Sequence, residues 1–162
     1  MAELTKLEDK LGEVLGLAQA AQDATTKVAK LIDDRKISQA LARMRDEAAE
    51  TARRCTDVAS GKDGKKTAIL TKARTTKGEA TEMMSTYLGD DPEGLDGLEF
   101  LSMAEAGEVA HVEILGTLAK TAKDAAVVHL VAWALPIQER HLASVRESGV
   151  RLAAAEDPNE PA

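Results

Sequence analysis

Glu108 and His111 lie three residues apart in EFLSMAEAGEVAHVEILGTLAK, and Gln138 and His141 repeat that spacing in LPIQERHLASV. On an α-helix, residues three apart share a face, so each pair can aim two polar groups at one point. A carboxylate and a neutral imidazole nitrogen from neighbouring helices are ligands that suit a hard or borderline divalent metal. The same groups can also form a metal-free network in which Glu108 accepts from His141 or Gln138, because buried charge persists only when paired. Both arrangements stay open from the residues alone.

The elements that must position these groups are helices. Apolar residues recur every three or four positions from about Leu4 to Ile32, from Ile37 to about Ser60, and from Ile69 to Leu88. The segment GDDPEGLDG opposes regular structure, and Asp96 followed by Glu99 has capping-box spacing, so a fourth helix is expected from there to about Ala122. Asp124 is a plausible cap for a fifth helix reaching roughly Ala154, with Pro136 inside it and a bend or bulge expected there. Residues 1–154 read as one domain and 155–162 as a disordered acidic tail.

Ala, Leu and Val carry most of the apolar content, with one Trp, one Tyr and one Phe, so helices can approach closely over small side chains. The expected class is all-α: a four-helix bundle with a fifth helix, built of long antiparallel helices. Successive residues advance by about 100° around a helix, which sorts polar groups by direction. The inward set is then Gln22, Glu47, Glu108, His111, Gln138 and His141; Glu105 and Glu139 lie at the margin, and the first helix offers no acid on its stripe.

A net charge of -7 and a pI near 5.1 argue against nucleic acid and anionic lipid surfaces, which are held by basic footprints. No run approaches about eighteen apolar residues, so no spanning helix is expected. The start MAELTKLEDK lacks a secretory apolar run, and the single cysteine fits a reducing compartment; a cytoplasmic location is expected. Cys55 reads as a small buried hydrophobe. SGKDGKKT lacks the glycine and Ser/Thr of a phosphate loop, and no Ser-His-Asp or Cys-His set supports hydrolysis. His129 is expected near Trp133 on the outer face, where an exposed Trp133 and Ile137 would serve a homodimer contact.

Helical Glu-x-x-His in a bundle resembles the ferritin-like superfamily. Within it, EVAHVEILGTLAK followed by LPIQERHLASV looks like the last two helices of the YciE/YciF-like branch of bacterial stress proteins, and AAETARR is similar to part of its second helix. The likeness is clearest over roughly residues 99 to 145. It implies a ferritin-like bundle, iron or manganese in the core with ferroxidase-like chemistry, and ligation by Glu47, Glu108, His111 and His141 with Gln138 in support. Gln138 stands where the family pattern has glutamate, the first helix has Gln19 or Gln22 near the place of an acid, and Glu47-x-x-Glu50 carries no histidine. Such a set could hold one metal or an asymmetric pair, or form a polar core that no longer binds metal. The other expectation is a non-enzymatic scaffold or homodimerisation module with a metal-free core.

Overall fold

A computed structural model describes residues 2–161. Five helices follow one another: α1 Lys6–Ala29, α2 Arg35–Ser60, α3 Lys66–Leu88, α4 Gly94–Ala122 and α5 Ala125–Ala153. Their starts are written in local chemistry. The Thr5 hydroxyl accepts from the Glu8 N–H and the Glu8 carboxylate from the Thr5 N–H, a reciprocal cap. Asp34 accepts from the Lys36 and Ile37 amides at α2, and Asp124 from the Val127 amide at α5. At α4 the cap pairs Glu93 with Asp96, not Asp96 with Glu99, so the helix begins nearly a turn earlier than the sequence suggests.

Four helices, α1, α2, α5 and α4, form a ring in which each packs on two neighbours, and α3 lies outside it, chiefly against α1. Cross-contacts fix the directions. Asp34 meets Arg151 and Glu47 meets Arg140, so α2 and α5 run antiparallel. Glu13 faces His111 and Val28 faces Gly97, so α1 and α4 do as well. In contrast, Gly12 abuts Ile69 and Lys72 while Gly16 abuts Ala73 and Thr76, so α3 runs parallel to α1. Pro136 is accommodated within α5, which stays helical on both sides of it.

One series of buried positions on each of α4 and α5 alternates by three and four residues. On α4 it runs through Leu98, Leu101, Glu105, Glu108, Val112, Leu115 and Ala119, with Gly97, Phe100 and Gly116 buried beside it; on α5, through Val127, Val131, Ala134, Gln138, His141, Val145 and Ser148, with Leu130 beside it. This is the spacing of knobs-into-holes packing between nearly aligned helices. The core divides into two apolar clusters. Leu11, Leu15, Cys55, Ile69, Leu115 and Val127 belong to one, and Val28, Ile37, Leu41, Leu98, Leu101 and Val145 to the other. The polar residues of α4 and α5 form a layer between them.

Trp133 is half-buried, packs on the first cluster and carries the Arg54 guanidinium 4.0 Å above its ring, a cation–π contact. It is therefore not the open apolar patch expected for a dimer contact, and its face is covered by Arg54 rather than by the exposed His129. Among the described residues no helix is long and apolar enough to cross a membrane.

Glycine on α1 sets the distance to α3: a Cβ at Gly16 would sit 2.4 Å from the Ala73 carbonyl oxygen. Gly16→Ala is expected to lower stability by about 1–3 kcal/mol through overpacking, read from the urea midpoint. Gly78→Ala on α3, with nothing within 4 Å of the added carbon, is expected to raise it by about 0.5–1 kcal/mol. Equal midpoints for the parent and Gly16→Ala would contradict the close α1–α3 crossing.

Candidate functional site

The polar layer is built from α2, α4 and α5. His141 is its hub: Nε2 lies 2.9 Å from Glu47 Oε2, and Nδ1 lies 3.7 Å from Glu105 Oε2, a looser approach. Glu47 is shared with Arg140, whose Nη2 donates to the same oxygen at 2.6 Å from the solvent side. The Gln138 amide donates to Glu105. A carboxylate on either side of one imidazole is an arrangement that favours the doubly protonated ring. Burial opposes the charge on His141, but the carboxylates of Glu105 and Glu47 overcome it and raise its pKa above 6.5.

Glu108 lies one turn along α4 from Glu105 and is also buried. Burial, and next the negative charge of Glu105, push its pKa well above 4.5, with the Gln138 amide offsetting part of the rise. Glu108 takes part in no ion pair among the described residues. A proton is the simplest counterion for such a carboxyl.

Of the residues read from the sequence as inward, Glu47, Glu108, Gln138 and His141 do gather in this layer. His111 does not join it. Its Nδ1 is 2.8 Å from the Gly107 carbonyl oxygen, one turn back on its own helix, and its Nε2 points at Glu13 Oε2, 3.6 Å away. The ring is thus part-exposed at the α1–α4 boundary, and the expected convergence of two imidazoles is corrected to one. Gln22 donates to the Ala18 carbonyl oxygen within α1 and stays outside the layer. Glu50 is bound by Arg53 and Arg54, which hold its carboxyl down to about 2.

Two acids were missed. Glu105, placed at the margin, is 1 % exposed and central. The alternating spacing from Leu98 to Ala119 passes through it and skips His111, and that pattern was the available signal. Glu13 on α1 sits beside His111, held by Lys10 and by Lys72 of α3; burial opposes its charge, but these lysines lower its pKa.

Among the described residues no group of three or more His, Cys, Asp and Glu side chains is arranged to hold a metal ion. Cys55 is buried, which pushes its thiol up to about 12, as fits a packing residue. No protein-family model matches the chain, and no curated protein matches it.

The two raised groups act on stability with the same sign. The contribution of His141 is complete below its unfolded value of 6.5 and is lost as pH rises through the folded value. For Glu108 the folded state resists ionisation, so a penalty absent below 4.5 grows as pH rises through the folded value. Glu108→Gln, which keeps the shape and cannot ionise, is expected to gain on the parent by about 1–3 kcal/mol between roughly pH 5 and pH 8 in urea melts. A pH-independent difference would contradict the buried-acid assignment. His141→Ala should cost most at acid pH and progressively less at alkaline pH, measured in the same way.

Proposed function

We propose that the chain is a non-enzymatic, ferritin-like helical bundle in which a protonated histidine stands where the resemblance implies a metal. The protein then works by binding rather than by catalysis. The observation that carries this reading is the placement of His141, with Glu47 against one ring nitrogen and Glu105 against the other. To ligate a metal, an imidazole needs a bare ring nitrogen aimed at the ion. Here both nitrogens face carboxylate oxygens. Glu47 is further balanced by Arg140, and Glu105 is engaged by Gln138. The donors that a metal would recruit are committed to one another, and His111 is turned toward Glu13. These pairings support the metal-free network over an iron or manganese site.

The acidic charge and the single, buried cysteine support a cytoplasmic setting as part of the same proposal. A second reading keeps the stress-associated bundle that binds iron or manganese with ferroxidase-like chemistry. One observation favours it: Glu108, beside Glu105, has no cationic partner, and a divalent ion would relieve both acids.

One experiment separates the two. After anaerobic loading with ferrous or manganous ion and desalting, the first reading expects no more than about 0.1 equivalent retained and an unchanged melting temperature. Stoichiometric retention that falls in both Glu105→Gln and His141→Ala would replace it with the second.

A further inference from the structure

The close α1–α3 crossing at Gly12 and Gly16 does not continue along α1. Further on, the facing residues include Ala20, Ala21 and Ala24 of α1 and Ala80 of α3, side chains too short to fill the space that α4 leaves between them. The result is a cleft of about 380 Å³ between α1, α3 and α4. That volume lies within the range of small-molecule sites, which are mostly apolar with a few convergent polar groups. Leu17, Met84, Phe100 and Leu101 line it; Met83 and Met103 stand at its rim, 68 % and 53 % exposed. Methionines are flexible and polarisable, and at a rim they can fold over ligands of varied shape.

The charged groups of this lining have one sign. Glu13, Glu79, Glu105 and Glu108 contribute to it together with His111, and no lysine or arginine does. Three of the acids are otherwise placed: Glu13 is held by Lys10 and Lys72, Glu105 is engaged by Gln138 and His141, and Glu79 is exposed to solvent. Glu108 differs. It is more than nine-tenths buried, lines the cleft, meets the Gln138 amide and has no ion-pair partner among the described residues.

We propose that the cleft between α1, α3 and α4 binds a small apolar amine, its hydrocarbon body against the alanine and methionine walls and its ammonium group on the Glu108 carboxylate. Two features select this class over its neighbours. An anion would meet four acids with no cation to receive it. A neutral apolar molecule would gain only the walls, with Glu108 keeping its uncharged form, whereas an ammonium adds an ion pair and hydrogen-bond donors. Glu108 gives up its proton to solvent when the ammonium takes its place, and no other bond changes. The proposal names the ligand class of the binding function suggested above; it depends on Glu108 and the cleft, not on the charge state of His141, so the metal-loading result and the amine result can fail separately.

The test uses octylamine, octanol and octanoate as probes on the full chain, with methionine-methyl NMR and calorimetry as readouts. Octylamine is expected to saturate and to shift the methyls of Met83, Met84 and Met103 while leaving Met44 in place. It should bind at least about tenfold more tightly than octanol, and octanoate more weakly than either. Glu108→Gln should collapse the amine-over-alcohol ratio to near one while octanol still binds, and Ala80→Phe, which fills the cleft, should abolish both. Equal binding of amine and alcohol to the parent, a ratio unchanged in Glu108→Gln, or shifts confined to other methyls would overturn the assignment. The ratio in the parent decides the matter even if a variant fails to fold.

Discussion

Two carboxyl groups one turn apart on α4, buried between apolar clusters, are the constraint around which the interior is arranged. Glu105 and Glu108 occupy successive core positions where leucine or valine would pack without electrostatic cost. Two other helices supply the answer. From α5 come Gln138 and His141, and from α2 comes Glu47, itself balanced by Arg140 at the surface. The charge is handed outward from Glu105 through an imidazole to Glu47 and on to an exposed guanidinium. Glu108 is left without an ion-pair partner among the described residues, and burial disfavours its charged form.

Such a layer is a poor source of stability, because the desolvation of its members offsets most of their attraction. What it supplies is register. A slide of α5 along α4 by one heptad would move Gln138 and His141 from the Glu105–Glu108 turn toward Leu98 and Leu101 or toward Val112 and Leu115, and break their pairing with the acids. The apolar layers on either side, rich in Ala, Leu and Val, carry no such pairing to lose in a slide. Polar groups at isolated core positions fix the alignment of packed helices in this way.

The five helices are legible because their apolar spacing is long and uninterrupted, and the cap at Asp124 is local chemistry that the chain carries openly, whereas the cap at Asp34 is seen only in the structure. The polar layer was legible in part. Glu47, Glu108, Gln138 and His141 were read as inward and do meet. Glu105 and His111 exchange roles because a stripe drawn through the apolar residues Phe100, Met103, Ala104, Ile114, Leu115 and Leu118 takes His111 in and leaves Glu105 at its margin. Two of those residues, Met103 and Ile114, prove to be 53 % and 47 % exposed. Counting them rotated the inferred core face by about one residue, enough to bring His111 in and push Glu105 to the edge. Glu13 escaped for a related reason. Helix α1 carries two contact faces, one toward the ring and one of glycines toward α3, and an acid at their boundary belongs to neither stripe.

The residues that misled the stripe also say where the molecule departs from a closed bundle. A side chain such as Met103 can be apolar without being core, as much of any folded protein's surface is. Met83 answers it from α3, and between them the small residues of α1 and α3 leave the cleft that reaches down to Glu108. Filling that space would have required only larger side chains at Ala21, Ala24 or Ala80, which helices accept readily. The alanines leave α3 packed on α1 while the space toward α4 stays unfilled, and Glu108 belongs both to the buried face of α4 and to the cleft lining. On the reading proposed above, a ligand that pairs with Glu108 from the cleft would therefore stabilise the ring of helices behind it.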